Sequence, residues 1–185
     1  MADGSPKPPP PPSDPARFRI RPAVPEDLSA VVELVRGLAA YEKLPAPDDD
    51  AAARLMRDAN SGAPPFHLLV AEKDGRLVGY AAYFFGYSTF LARPSLFLED
   101  LFVEEAARGN GIGSAFMHRL AAVASERGCA RLDWAVLDWN TTAQEFYRRL
   151  GAEVMSGWWA CRLSGEALTA VADASKAEDA SRAGR

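Results

Sequence analysis

Two adjacent carboxylates, Glu99 and Asp100, stand in the middle of the run Leu96–Val103, whose other members are Leu, Phe and Val. Charged pairs seldom sit inside an apolar strand without a function. Carboxylates placed there can accept a proton or hold a cation. The structural alternative is an ion pair with an arginine. Alternation along a strand points the two to opposite faces, so at most one meets a ligand directly unless a bulge re-aims the other.

The same run leads into Arg108-Gly109-Asn110-Gly111-Ile112-Gly113-Ser114, with an amphipathic stretch from Ala115 to Arg127 directly behind it. A strand, a glycine turn and a helix in that order gather free backbone N–H groups and a helix N-terminus at one spot. Such a spot binds anions, usually phosphate. A P-loop needs Lys followed by Ser or Thr after its last glycine, and here Gly113 is followed by Ser114-Ala115. A dinucleotide fingerprint needs glycine at its first, third and sixth places. Gly109 and Gly111 fill two of these, but Ser114 holds the sixth. Neither of these ligands fits the spacing.

The elements that must position these residues read as follows. Phe18–Arg21 is a first strand, and Pro25-Glu26-Asp27 opens a helix with Leu28, Val31, Val32, Val35, Leu38 and Ala39 on its apolar face. Val24 is a poor cap for that helix. Asp48–Ala59 is a second helix, its three leading aspartates favoured by the helix dipole rather than by a metal. Two strands flank Asp74-Gly75, a type I′ hairpin signal, and residues 86–90 turn the chain toward the central strand. His67 reads as structural, on the rim of its strand. After the helix of residues 115–127 come a strand over Arg131–Val136, a helix over Thr141–Leu150 capped by Asn140 and closed by Gly151, and a last strand over Trp158–Leu163. This alternation predicts an α/β fold with helices on both faces of a mixed sheet.

Half of the 14 prolines fall before Phe18, so residues 1–17 are expected to form a disordered leader. Residues 18–173 form one domain, and 174–185 read as a disordered tail. The net charge of −4 argues against nucleic acid and suits cationic small molecules. Cys129 and Cys161 lie in apolar surroundings without metal-type spacing. Reduced, buried thiols in a cytoplasmic protein are expected, a disulfide being the alternative. No apolar run reaches membrane-spanning length, and the N-terminus lacks the apolar core of a signal peptide, so no membrane partner is expected.

The Arg-Gly-x-Gly-Ile-Gly run at 108–113, with Val103 five residues ahead, resembles the pyrophosphate loop of the GNAT superfamily, the acetyl-CoA-dependent N-acetyltransferases. The order of elements is similar too, and the resemblance covers roughly Phe18 to Leu168. It implies a GNAT fold: a mixed, mostly antiparallel central sheet, helices on both faces, and a central strand pair splayed by a bulge. It also implies acetyl-CoA as co-substrate, no metal, a small-molecule amine as acceptor, and a homodimer. Leu101, Phe102 and Val103 would meet acetyl-CoA along the freed strand edge. Arg108, Gly109, Asn110, Gly111, Ile112, Gly113 and Ser114 would hold its pyrophosphate, and Asn140, Thr141, Thr142 and Ala143 would complete its site. Glu99 and Asp100 are the base candidates. Tyr147 reads as a core tyrosine by composition, and the resemblance makes it the acid that protonates the leaving thiolate.

Within the superfamily the chain is similar to the diamine acetyltransferases, through Ala40-Tyr41-Glu42, Tyr87-Ser88-Thr89-Phe90, Leu98-Glu99-Asp100, residues 135–140 and Phe146-Tyr147. The pattern would make Tyr41, Glu42, Glu99 and Asp100 substrate contacts, with Ser88 farther along and Asp133, Trp134 and Ala135 bordering the amine channel. Where spermine-type members carry an Asp after the tyrosine this chain has Ser88, and where they carry further acids it has Ser156-Gly157. Those losses favour a small diamine or diamino acid, as in the thialysine- and ornithine-type members. Three alternatives stay open: a polyamine acetyltransferase, a CoA-binding module without catalysis, and transfer of a bulkier acyl group to an aromatic amine.

Overall fold

The computed structural model describes residues 18–183. The expected leader, residues 1–17, lies outside the described residues. The chain divides at Asn140/Thr141 into two compact units.

The first unit is a five-stranded sheet in sequence order: β1 (Arg19–Pro22), β2 (His67–Lys73), β3 (Arg76–Ser88), β4 (Arg93–Val103) and β5 (Leu132–Trp134). The first four strands are antiparallel, and β4 pairs with β5 in parallel. Between β1 and β2 lie helices α1 (Leu28–Glu42) and α2 (Asp49–Ala59); α3 (Ile112–Glu126) joins β4 to β5. One face of the sheet presents Val70, Tyr80, Ala82 and Phe102 to Val31 and Leu34 of α1. The other faces α3: a Cβ on Gly79 would lie 3.4 Å from the Phe116 ring. It would also come within 2.6 Å of the Phe102 carbonyl oxygen, so only glycine allows β3 and β4 to approach this closely.

The start of α1 shows what the sequence reading lacked. Val24 offers no side-chain cap, but the buried Asp27 accepts from the Val24 N–H at 2.8 Å and takes both ends of the Arg21 guanidinium. Arg21 holds the Asp27 carboxyl below its usual range and also reaches Glu72 across the ladder. At α2 the helix begins one residue later than expected, and Asp48 is its cap, accepting from Ala51 N–H at 2.7 Å. Asp74 and Gly75 both take positive φ, as a type I′ turn requires. The β3–β4 hairpin runs further than its glycine and serine suggested, ending at Ser88 and restarting at Arg93. Ser88 closes it by accepting from the Leu91 N–H at 3.3 Å.

The second unit contains α4 (Thr141–Arg149) and α5 (Gly165–Ala183). Gly151, at φ 88°, ends α4, and Ala152 N–H bonds back to the Tyr147 carbonyl. One expectation fails here. Trp158–Leu163 is not a strand, because no strand among the described residues offers it a ladder, and Trp158 and Trp159 are exposed at 79% and 93%. Past Ala174 the described residues continue α5 to Ala183, a stretch of Ala, Glu, Lys and Arg with high helix propensity. Cys129 is half-buried and Cys161 exposed, so only the former approaches the buried thiol expected, and both are free.

Candidate active site

The β3–β4 ladder skips one residue. Ala82 faces Asp100 while Tyr83 faces Leu98, which leaves Glu99 as the extra residue of a bulge. The parallel ladder with β5 stops at the same level, its last pair being Leu98 and Trp134. Beyond it, Leu101, Phe102 and Val103 have no ladder partner on the β5 side among the described residues. A β4 edge with unpaired backbone groups therefore begins where the two acids stand.

The bulge also explains why the acids act together despite strand alternation. Asp100 lies on the α1 face, where its Oδ2 accepts from the Tyr80 hydroxyl at 3.1 Å. Burial pushes the Asp100 carboxyl up, the Tyr80 hydrogen bond pulls it down, and the charges of Glu99 and Glu42 push it up again. Glu42, the last residue of α1, is itself raised by burial. The charges of Glu99 and Glu42 thus both reach Asp100, and among the described residues no cationic side chain pairs with any of the three. The arginine ion pair that was the alternative reading is absent there.

Past Val103 a short 3-10 turn, Glu105–Ala107, delivers the chain to the glycine loop. Gly109 and Gly111 take φ of 77° and 83°, and Gly111 caps α3 in the left-handed region. The first intrahelical bond there is Ala115 N–H to the Gly111 carbonyl, and the first turn carries no acid. The N–H groups of Ile112, Gly113 and Ser114 are the helix's unpaired donors. A Cβ on Gly109 would meet nothing within 4 Å, so the loop has room beside it. Asn110 ties the turn by donating to the carbonyls of Ala107 and Arg108. These residues fit a diphosphate, and the free β4 edge fits an amide-bearing arm.

Arg108 donates from Nε to the Val103 carbonyl at 2.9 Å and lies over the rings of Tyr41 and Phe102. Tyr41 in turn packs on Trp139 at 5.9 Å and donates to Asn140 Oδ1 at 3.3 Å. Tyr41 therefore braces the end of α1 against the glycine loop on one side and the loop after β5 on the other. Asp133 pairs with Arg131 at 2.6 Å and stands opposite Phe97, with Trp134 next to it and Ala135 just past the strand's end. Ser88 is not brought to the acids. It is buried in the hairpin turn, six residues along β3 from the partner of Asp100, a separation of about 20 Å.

In the second unit Thr141, Thr142 and Ala143 open α4, and Tyr147 is buried. Burial pushes its phenol up to about 12. Tyr80 is the residue that sequence reasoning missed at this site. A signal existed: a buried tyrosine needs a partner for its hydroxyl, and two places along the ladder lay a carboxylate.

A strand pair that parts beside an anion loop, with uncompensated acids at the parting, suits a transferase that joins a phosphate-bearing donor to a cationic acceptor. The comparisons say which. The profile described as acetyltransferase (GNAT) family matches residues 32–152. The thialysine N-epsilon-acetyltransferase of Bos taurus is 38% identical over 164 residues, covering 83% of this chain and 96% of that protein. The L-ornithine N5-acetyltransferase of Arabidopsis thaliana is 38% identical over 95 residues, 51% of this chain and 42% of that one. Among solved structures, an integron cassette protein from V. cholerae superposes with a TM-score of 0.75 at 27% identity, over 84% of this chain and 98% of its own. The chain belongs to the GNAT acetyltransferase family and is an N-acetyltransferase.

Proposed function

We propose that the enzyme acetylates a primary amine of a small diamine or diamino acid, with acetyl-CoA as donor. One observation carries the reading. Glu42, Glu99 and Asp100 converge at the bulge with no cation paired to them among the described residues. Asp100 and Glu42 are partly buried and Glu99 is exposed beside them, and the two desolvated acids are costly to ionise unless a cation approaches them. The names of the thialysine and ornithine relatives support an amine of that size.

Acetyl-CoA, held by Arg108–Ser114 and the β4 edge, supplies an acetyl thioester. Glu99, at the bulge, takes the proton that the ammonium must lose before its nitrogen can attack. A backbone N–H in Leu101–Val103 polarises the carbonyl. The N–C bond forms, the C–S bond breaks, and Tyr147 gives its proton to the departing sulfur. Glu42 and Asp100 attract the amine without taking part in the transfer. Tyr41 contacts the amine from the brace, and Asp133, Trp134 and Ala135 border its path.

A turnover assay with acetyl-CoA across an amine panel tests the reading. Thialysine, ornithine or a short diamine is expected to show a higher kcat/KM than spermidine or spermine. Spermine as the best substrate would shift the assignment to a polyamine acetyltransferase. CoA binding with no turnover on any amine would leave only a binding module.

Two further readings accompany this one. The free cysteines fit a reducing, cytoplasmic setting; separately, no helix among the described residues is long and apolar enough to cross a membrane. A homodimer is supported by the exposed apolar stretch that includes Val154, Met155, Trp158, Trp159 and Leu163, which a second copy would cover. Light scattering should return twice the chain mass, and replacing Trp158 and Trp159 by Ser should return it to the monomer. A wild-type monomer at assay concentration would remove the dimer.

A further inference from the structure

We infer that Tyr80 is a positioning residue of the amine site, acting through Asp100: its hydroxyl fixes that carboxylate, ionised and oriented, at the mouth of the acid cluster. The inference rests on the reading of Asp100 as an ammonium contact.

Tyr80 is fully buried on β3, under α1, and pairs across the ladder with Phe102. Asp100 is two places along the same face, and the hydroxyl reaches its Oδ2 at 3.1 Å. A buried phenol can be satisfied by any neutral carbonyl. Here its acceptor is a largely desolvated carboxylate facing two other acids, Glu99 on its own strand and Glu42 at the end of α1. Arg108, which lies over Phe102 on that face, is bound to the Val103 carbonyl and stacked on Tyr41. Among the described residues, the Tyr80 hydroxyl is thus the one group that favours the charged form of Asp100. Burial and both neighbouring acids work against it. Without that donor the carboxyl would hold its proton to higher pH, and a protonated Asp100 attracts no ammonium.

The phenol suits this task because it cannot compete for the proton itself. Burial and the nearby acids push the Tyr80 hydroxyl far above its ordinary value, so it remains a donor at every working pH. It also occupies only Oδ2. Oδ1 accepts from no group among the described residues and is left for the substrate. A lysine at position 80 would ionise Asp100 equally well but would also neutralise the cluster that a cationic substrate needs.

The test compares Tyr80→Phe, Asp100→Asn and the double variant. Phenylalanine keeps the ring in its packing and removes one oxygen, and thermal melts check that each variant folds. In Tyr80→Phe the acid limb of kcat/KM for the amine should move to higher pH by about one unit. The amine KM at neutral pH should rise about tenfold while CoA affinity by calorimetry stays at the wild-type value. In the Asp100→Asn background, Tyr80→Phe should change neither quantity further. A folded Tyr80→Phe enzyme with a pH profile superimposable on wild type, beside an impaired Asp100→Asn, would make Tyr80 an ordinary core residue and overturn the inference. Asp100→Asn with wild-type kcat/KM would instead overturn the amine-site reading beneath it. The two failures are separable.

Discussion

Gly111→Val should abolish CoA binding while the sheet and its helices stay folded. Gly111 sits at φ 83° as the cap of α3, between the glycine turn and the first free N–H groups of the helix. A β-branched side chain at positive φ costs about 1–2 kcal/mol and pushes the backbone toward an extended conformation. Either response spoils the cradle: the valine stays and crowds the diphosphate, or the turn relaxes and its N–H groups point elsewhere. Losing charge-assisted bonds of this kind removes about 2–4 kcal/mol of anion binding, a factor of roughly 30 to 1,000. Gly128 supplies the control, since it also takes a positive φ of 65° but at the far end of α3. Gly128→Val should lose comparable stability with unchanged CoA affinity by calorimetry. Equal affinity in the Gly111 variant and wild type would reduce the loop to a connector.

The contrast between loop and bulge explains what a sequence can disclose. Gly109 and Gly111 were readable because positive φ restricts the residue type, so the conformation leaves a mark on the chain. The Asp74-Gly75 hairpin was readable for the same reason. The apolar periods of α1 and the central strand placed both elements within a few residues. Glu99 and Asp100 were visible as misfits in an apolar strand, but not the manner of their cooperation. Which ladder residue a bulge skips depends on pairing with β3, and pairing is a long-range property. Tyr80 was hidden by the same limit, since its partner lies 20 positions away in sequence.

The misses have their own physics. Trp158–Leu163 carries strand-forming residues, yet a strand exists only where another edge accepts its hydrogen bonds, and propensity is silent about edges. Val24 was a poor cap, and Asp27 three places later did the capping by reaching back to its N–H. In each case the residue type permitted two uses and the tertiary contact chose between them.

Tyr147→Phe should lower kcat about 100-fold with little change in either KM, the usual range for losing a general acid. The group removed is one hydroxyl, so binding surfaces made by the ring survive. Burial raises this phenol to about 12, above its ordinary value of 10. The neutral phenol is the form that donates, so the acid is fully present throughout the neutral and mildly alkaline range. Wild-type kcat should therefore show no descending limb from Tyr147 up to about pH 10, where an ordinary tyrosine would be half ionised. The same shift appears in stability. The unfolded chain releases this proton at about 10 and the folded chain near 12, so the native state binds more protons between those values. Wild type should accordingly lose stability relative to Tyr147→Phe as the pH rises through that window, and differ little in pH dependence below it. Unchanged turnover in the variant would move proton donation to water or another group. A descending limb near pH 10 in wild type, absent from Tyr147→Phe, would keep the tyrosine as the acid but show that its phenol titrates as though exposed.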